Sequence, residues 1–263
     1  MSMKEAPYFR TEMTPIRSVH LSPTQIPANI TEAYRGLHRI IDCDPAYGAA
    51  WKLGGTTAAT QRIFKVNKLY FGPLHEREVA VLPSAAPAFQ TYELKGEAEI
   101  ALRIASTAAD FLRADRKNTD EAPLSMLFDA WCAALELPSS PIENLADIGV
   151  TALIADRCAA GFLALGRAHP VDDFTNWAGS VLRVKQDGQT IATGGSSALL
   201  SPPDICARSF IIEALAQGFS PRPGQWISTG GATPCVNFTA GADISVCYND
   251  HEELRFVAGI GTA

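Results

Sequence analysis

Residues 97–105, EAEIALRIA, set polar against apolar side chains in partial alternation, the pattern of a strand with one half-buried face. From about Ala50 onward the same kind of run recurs, each short and bounded by Gly or Pro. Residues 181–193, VLRVKQDGQTIAT, hold two strand-type runs around Asp187-Gly188, a dipeptide whose backbone suits a hairpin turn. Residues 225–229, 242–248 and 254–258 read as further strands, the first entered through the turn Pro221-Arg222-Pro223-Gly224. Helices are fewer. Ile30 to Ile41 fits one, with Thr31 as its expected N-cap and Ala33, Leu37, Ile40 and Ile41 as its apolar face. A second is expected after Ser201-Pro202, with Ser201 capping, Pro202 in the first turn, Ile205 to Ala216 supplying the face and Gly218 ending it. No regular alternation of strand and helix is present, so the sequence predicts an α+β fold with a large mixed or mostly antiparallel sheet system, not a Rossmann fold. Pro15, Pro23 and Pro27 make residues 1 to about 27 an irregular arm. The expected organisation is an arm and helix over 1–45, followed by a main domain over 46–263.

The balance of the 263-residue chain supports a globular protein: 47% of its residues are hydrophobic and 19% charged, which is too apolar for a disordered chain. A net charge of -6 argues against a nucleic-acid partner, which calls for a concentrated basic face. No apolar run reaches the ~18 residues of a membrane span. The nearest, 150–166, is broken by Asp156, Arg157 and Cys158. The N-terminal residues MSMKEAPYFRTEM have no apolar core and no small-residue cleavage site, so a cytoplasmic location is expected. Cys43, Cys132, Cys158, Cys206, Cys235 and Cys247 form no C-x-x-C pair and no zinc spacing, and are expected to be small, buried, reduced hydrophobes.

The chemistry is concentrated in acids. Glu97 and Glu99, two apart on a strand, project from one face with Cα atoms roughly 6–7 Å apart. Two carboxylates aimed together repel unless one takes a proton or a cation intervenes, and hard carboxylate oxygens suit Mg²⁺ or Mn²⁺. Arg103, four residues on, could neutralise the pair instead. Glu136 is a lone acid within the apolar run Ala133-Ala134-Leu135-Glu136-Leu137 and needs a partner there, either a salt bridge or a shared ion. Lys52, in Trp51-Lys52-Leu53-Gly54-Gly55, is flanked by apolar and Gly residues. Beside carboxylates it could hold an anion or relay a proton. Gly230 and Gly231 allow close backbone approach, and their N–H groups could cradle a carboxylate. His38, within the first helix, reads as a surface or packing residue.

The order of these pieces resembles the 2-keto-4-pentenoate hydratase and 4-oxalocrotonate decarboxylase branch of the fumarylacetoacetate hydrolase superfamily. Ala50-Trp51-Lys52-Leu53-Gly54 with Phe71-Gly72-Pro73-Leu74 resembles that branch's first motif. Gly96-Glu97-Ala98-Glu99-Ile100-Ala101 resembles its metal-binding strand, and Ala134-Leu135-Glu136 the segment of the third ligand. Ile154-Ala155-Asp156, Thr193-Gly194-Gly195, Ser201-Pro202-Pro203 and Gly224 to Gly230 continue the register, so the resemblance runs from about residue 30 to the end. It implies a β-rich core, a mixed β-sandwich roll, with a helical N-terminal segment, in a homo-oligomer. It also implies Mg²⁺ or Mn²⁺ held by Glu97, Glu99 and Glu136, chelating a substrate's 1-carboxylate and 2-oxygen and stabilising an enolate. Lys52 would contact the substrate and assist proton transfer, and Thr229, Gly230 and Gly231 would hold its carboxylate.

The chain departs from that pattern in three places. Tyr70 stands where an acid usually precedes the Phe-Gly pair and is itself a candidate proton donor. Pro138-Ser139-Ser140-Pro141 replaces Asp-Ser-Arg, and Arg157-Cys158-Ala159 replaces Asn-x-Ser. The leading expectation is a hydratase-type lyase acting on a 2-hydroxydienoic or 2-oxo acid. The alternatives are a metal-dependent 2-oxo-acid decarboxylase, an acylpyruvate-type hydrolase, and a non-catalytic partner subunit.

Overall fold

The structure is a computed structural model and describes residues 18–82, 93–113, 119, 121–174 and 177–258. The arm expected over 1–27 lies outside the described residues as far as residue 17; its remainder holds a single short helical turn at Pro23–Gln25. Helix α1 (Ile30–Cys43) follows. Its N-cap is Asn29, whose side chain accepts from the Glu32 N–H, and not Thr31. An Asn carbonyl reaches the third N–H as well as a Thr hydroxyl does, and the helix starts at the earlier of the two. Its inward face carries Ala33, Tyr34, Leu37 and Ile40.

Strands then dominate: β1 (Tyr47–Gly54), β2 (Tyr70–His75) and β3 (Val79–Val81), with a short helix α2 (Ala58–Phe64) between the first two. They are followed by β4 (Lys95–Ile104), helix α3 (Leu124–Leu127) and β5 (Phe128–Leu137). Two short helices, α4 (Leu145–Ile148) and α5 (Val150–Ala155), precede β6 (Phe162–Leu165) and β7 (His169–Pro170). The chain ends with β8 (Val181–Gln186), β9 (Gln189–Gly195), α6 (Pro203–Ala216), β10 (Trp226–Ser228), β11 (Val236–Asn237), β12 (Asp243–Tyr248) and β13 (His251–Val257). The expected hairpin is present as β8 and β9, with Asp187 and Gly188 at φ 49° and 79°. Helix α6 begins one residue later than expected: Pro202 is its N-cap, with no side-chain capping bond from Ser201.

The larger sheet runs β2-β1-β10-β4-β5-β6-β3, with β11 and β7 pairing off β4 and β5. It is mixed, with β1–β10 and β3–β6 parallel and the other pairs antiparallel. The smaller sheet, β13-β12-β8-β9, is antiparallel and touches the larger one at β4 and β5. The result is the expected α+β, β-rich architecture with a curled main sheet. One face of that sheet packs Ala98, Ile100, Leu102, Ala133 and Leu135 into the main core with α1 and α6. The opposite face carries small residues, among them Ala50, Ala101, Cys132 and Ala134. This second face also holds the acids.

Burial corrects one expectation about the cysteines. Cys132, Cys158, Cys206 and Cys247 are buried and free, but Cys43, the last residue of α1, and Cys235, in the loop before β11, are exposed. Residues 150–166 form α5 and β6, and no helix among the described residues is long and apolar enough to cross a membrane.

Candidate metal centre

Four neighbouring strands each place polar side chains on the same face. Register fixes this: Lys52 on β1 pairs with Ser228 on β10, and Ser228 pairs with Ala101 on β4, two residues from Glu99. Glu97 lies directly opposite Glu136 on β5. Partners in register share a face, so Lys52, Ser228, Glu97, Glu99 and Glu136 converge. One carboxylate oxygen from each of the three acids lies within 4.8 Å of the other two. Glu99 and Glu136 are fully buried.

Two acids directly opposite on antiparallel strands destabilise a sheet unless something offsets their charge. Lys52 supplies part of that, with Nζ 3.0 Å from Glu136 Oε1. Glu136 Oε2 and Glu99 Oε1 are buried with no hydrogen-bond partner. Arg103, expected as an alternative neutraliser, serves elsewhere. It pairs with Asp129 at 2.7 Å and lies over the Trp226 ring.

Burial raises all three carboxyls above their ordinary range. Glu99 is raised further by Glu97 and Glu136, against hydrogen bonds from Ser228 and Gly230 that favour its anion. Glu136 is pushed up to about 7 by burial, with Lys52 opposing the rise. Burial would lower the Lys52 amine, but the carboxylates, Glu136 foremost, outweigh it and hold the amine above its usual range. Lys52 is the buried cation facing these three acids, with the half-buried Lys95 adding a weaker pull on Glu97 and Glu136, so positive charge remains in deficit. Unpartnered, buried, hard oxygen donors at this spacing fit Mg²⁺ or Mn²⁺.

Tyr70 on β2 pairs with Gly54 on β1, and its ring covers the side of β1 that carries Lys52. Burial raises its phenol, so it keeps its proton at neutral pH. Thr229 and Gly230 direct donors into the protein: Thr229 Oγ1 donates to the Ile100 carbonyl at 2.8 Å, and the Gly230 N–H to Glu99 Oε2 at 2.9 Å. Gly231 lies against Glu97, where a Cβ would come within 2.3 Å of Oε2. A side chain there would displace the carboxylate.

Sequence reasoning missed two features. Ser228 is one; nothing in Trp226-Ile227-Ser228 distinguishes it from an ordinary strand residue. The other is the turn at Arg157-Cys158-Ala159. All three residues are left-handed, with φ of 54°, 59° and 56°. Arg157 is fully buried and grips Glu78 through two bonds of 2.6 and 2.9 Å. The Arg157 carbonyl fills the space where a Cβ on Gly72 would lie, at 2.1 Å, which accounts for glycine in the Phe71-Gly72 pair. The turn sets buried Cys158 within electrostatic reach of Lys52 and Glu136.

His38 donates to or accepts from nothing in this centre. Its ring stacks on Phe219 at 3.8 Å and its Nε2 bonds the Gln217 carbonyl at 2.8 Å, which makes it a packing residue.

No family model matches the chain. Solved structures do resemble it. 4-Oxalocrotonate decarboxylase from Pseudomonas putida G7, complexed with magnesium and adipate, is 17% identical, with 92% of this chain and 91% of that one covered at a TM-score of 0.76. Fumarylpyruvate hydrolase from Pseudomonas aeruginosa, in complex with Mn²⁺ and pyruvate, is 15% identical over 81% of this chain and 89% of that one, at a TM-score of 0.56. At such identities the likeness speaks to architecture, and the chain has the fold of the fumarylacetoacetate hydrolase superfamily.

Proposed function

We propose that this chain is a divalent-metal-dependent lyase that hydrates a 2-hydroxydienoic acid through its 2-oxo form. The observation that carries the reading is the convergence of Glu97, Glu99 and Glu136 within 4.8 Å, with buried oxygens lacking donors, beside buried Lys52. Glu97, Glu99 and Glu136 would hold Mg²⁺ or Mn²⁺, which when bound would supply positive charge for the negative charge developing on the substrate. The remaining work belongs to the chain's own groups. Lys52, a cation at neutral pH, orients an anionic substrate beside Glu136 and holds a proton that it can donate. Tyr70 keeps its phenol proton and is a donor, not a base. Apolar residues on the same face, among them Ala50, Ala101 and Ala134, lower the polarity around the buried carboxylates and strengthen each of these interactions.

Decarboxylation of a 2-oxo acid is the second reading. It draws support from the likeness to 4-oxalocrotonate decarboxylase over nine-tenths of both chains. Hydrolysis has less support, since His38 in the N-terminal helix is engaged by Phe219 and Gln217. The test is direct. With Mg²⁺ and 2-hydroxypenta-2,4-dienoate, hydration is read as loss of dienol absorbance. Release of carbon dioxide from 2-oxohex-3-enedioate, with no reaction of the dienoate, would replace the first reading by the second. Silence with both substrates would overturn both.

A further inference from the structure

Ser228 ends β10, is fully buried, and donates its hydroxyl to Glu99 Oε2 at 2.5 Å. The Gly230 N–H donates to that same oxygen at 2.9 Å. Between them, Thr229 fastens the segment to the next residue of β4, its N–H and its Oγ1 both donating to the Ile100 carbonyl at 3.0 and 2.8 Å. Two donors therefore converge on one oxygen of Glu99, while its other oxygen, Oε1, is buried without a partner. A carboxylate held this way cannot rotate to offer both oxygens equally. Oε1 is the oxygen left free to serve as a ligand beside Glu97 and Glu136.

We infer that Ser228 is a positioning residue for Glu99, and that the Ser228-Thr229-Gly230 segment is a clamp on a metal ligand, not a cradle for the substrate's carboxylate. The inference rests on the metal-centre reading of Glu97, Glu99 and Glu136. Its physical basis is general: hydrogen bonds from behind fix a ligand's orientation and polarise it, and removing one typically weakens metal affinity about 10–100-fold. The two roles for the segment differ in what they predict. A clamp acts on the ion, whereas a cradle acts on an organic anion after the ion is already bound.

The experiment compares wild type with S228A, each titrated with Mn²⁺ by calorimetry and by the paramagnetic resonance of free Mn²⁺. Oxalate is then titrated into each protein at saturating Mn²⁺. S228A is expected to lose about 10–100-fold in Mn²⁺ affinity, with unchanged thermal unfolding of the metal-free protein and unchanged oxalate affinity once Mn²⁺ saturates the site. Wild-type Mn²⁺ affinity in S228A would overturn the clamp. So would intact Mn²⁺ affinity combined with lost oxalate binding, which would return the segment to the substrate. Failure of the wild type itself to bind Mn²⁺ would remove the metal-centre reading and the inference with it, and that failure is visible before any variant is made. Should S228A not fold, S228C, which keeps the shape with a much weaker donor, carries the same measurements and the same expectations.

Discussion

Glu97 and Glu136 face each other directly across the antiparallel pair β4–β5, with Lys52 3.0 Å from Glu136 on the same side of the sheet. Two acids in register and a third, Glu99, one step along the face make an arrangement that repels itself. The chain keeps it inside the fold with buried Lys52 as the main counter-charge and Lys95 as a weaker one. In the proposed reading a divalent ion completes the charge balance, and the consequences are measurable.

Glu99→Gln keeps the size of the side chain and an acceptor for Ser228 and Gly230, but removes the negative charge. Divalent-ion binding is expected to fall by more than the ~10–100-fold typical of losing an outer-shell partner, while the metal-free Tm holds or rises because a buried, repelled charge has gone. Calorimetry with Mg²⁺ and thermal unfolding without it check both halves. Undiminished binding would remove Glu99 from the centre.

The carboxyls are raised in the folded protein, which sets the sign of the pH dependence. Glu136 moves from 4.5 to about 7, so the folded state holds a proton there that the unfolded state releases earlier. Its contribution to stability is fully present below the unfolded value and is lost as pH rises through about 7. A bound cation needs the deprotonated carboxylates. The rise in Tm produced by Mg²⁺ is therefore expected to be small at pH 5 and to grow through pH 7. A Tm shift independent of pH across this range would contradict the raised carboxyl.

Lys52→Met leaves three acids without their buried counter-ion. Removing one partner of a buried ion pair typically costs about 3–5 kcal/mol, and this loss is expected in metal-free protein at pH 8, above the value of about 7 to which Glu136 is raised. Denaturant unfolding with and without Mg²⁺ measures it. The ion is expected to restore more stability to the variant than to wild type. Equal stabilisation of both would show that Lys52 and the ion do not share the same carboxylates.

Glu78→Gln breaks the pair that anchors the left-handed turn at Arg157-Cys158-Ala159, stranding a fully buried guanidinium. A destabilisation of about 3–5 kcal/mol is expected, read by denaturant unfolding. A loss below about 1 kcal/mol, the value of an exposed pair, would show that Arg157 finds other partners.

Much of this centre was legible from local patterns. Glu97 and Glu99 announce themselves because strand periodicity alone puts them on one face. Glu136 was visible as an acid among apolar neighbours, but its place opposite Glu97 depends on a pairing register spanning a long stretch of chain, which no local pattern encodes. Arg103 misled for the same reason: it shares the parity of Glu97 and Glu99, yet pairs with Asp129 across the strand, next to an irregularity between Arg103 and Ile104. Arg157 read as a loss of substrate-orienting groups, and its pairing with Glu78 brings together residues far apart in the chain. The hairpin at Asp187-Gly188 and the strand over 243–248 followed from turn chemistry and alternation, which are local. Both helix caps were misplaced by two residues or fewer: Asn29 caps α1 two residues before Thr31, and α6 starts after Pro202 with no side-chain cap at all.

The most direct test of the metal centre is calorimetric titration with oxalate, a mimic of the pyruvate enolate, with and without Mg²⁺. Oxalate binding that requires Mg²⁺ and is lost in Glu97→Gln is the predicted result. Oxalate binding of equal strength without Mg²⁺, or binding that survives in Glu97→Gln, would contradict a centre built on Glu97, Glu99 and Glu136.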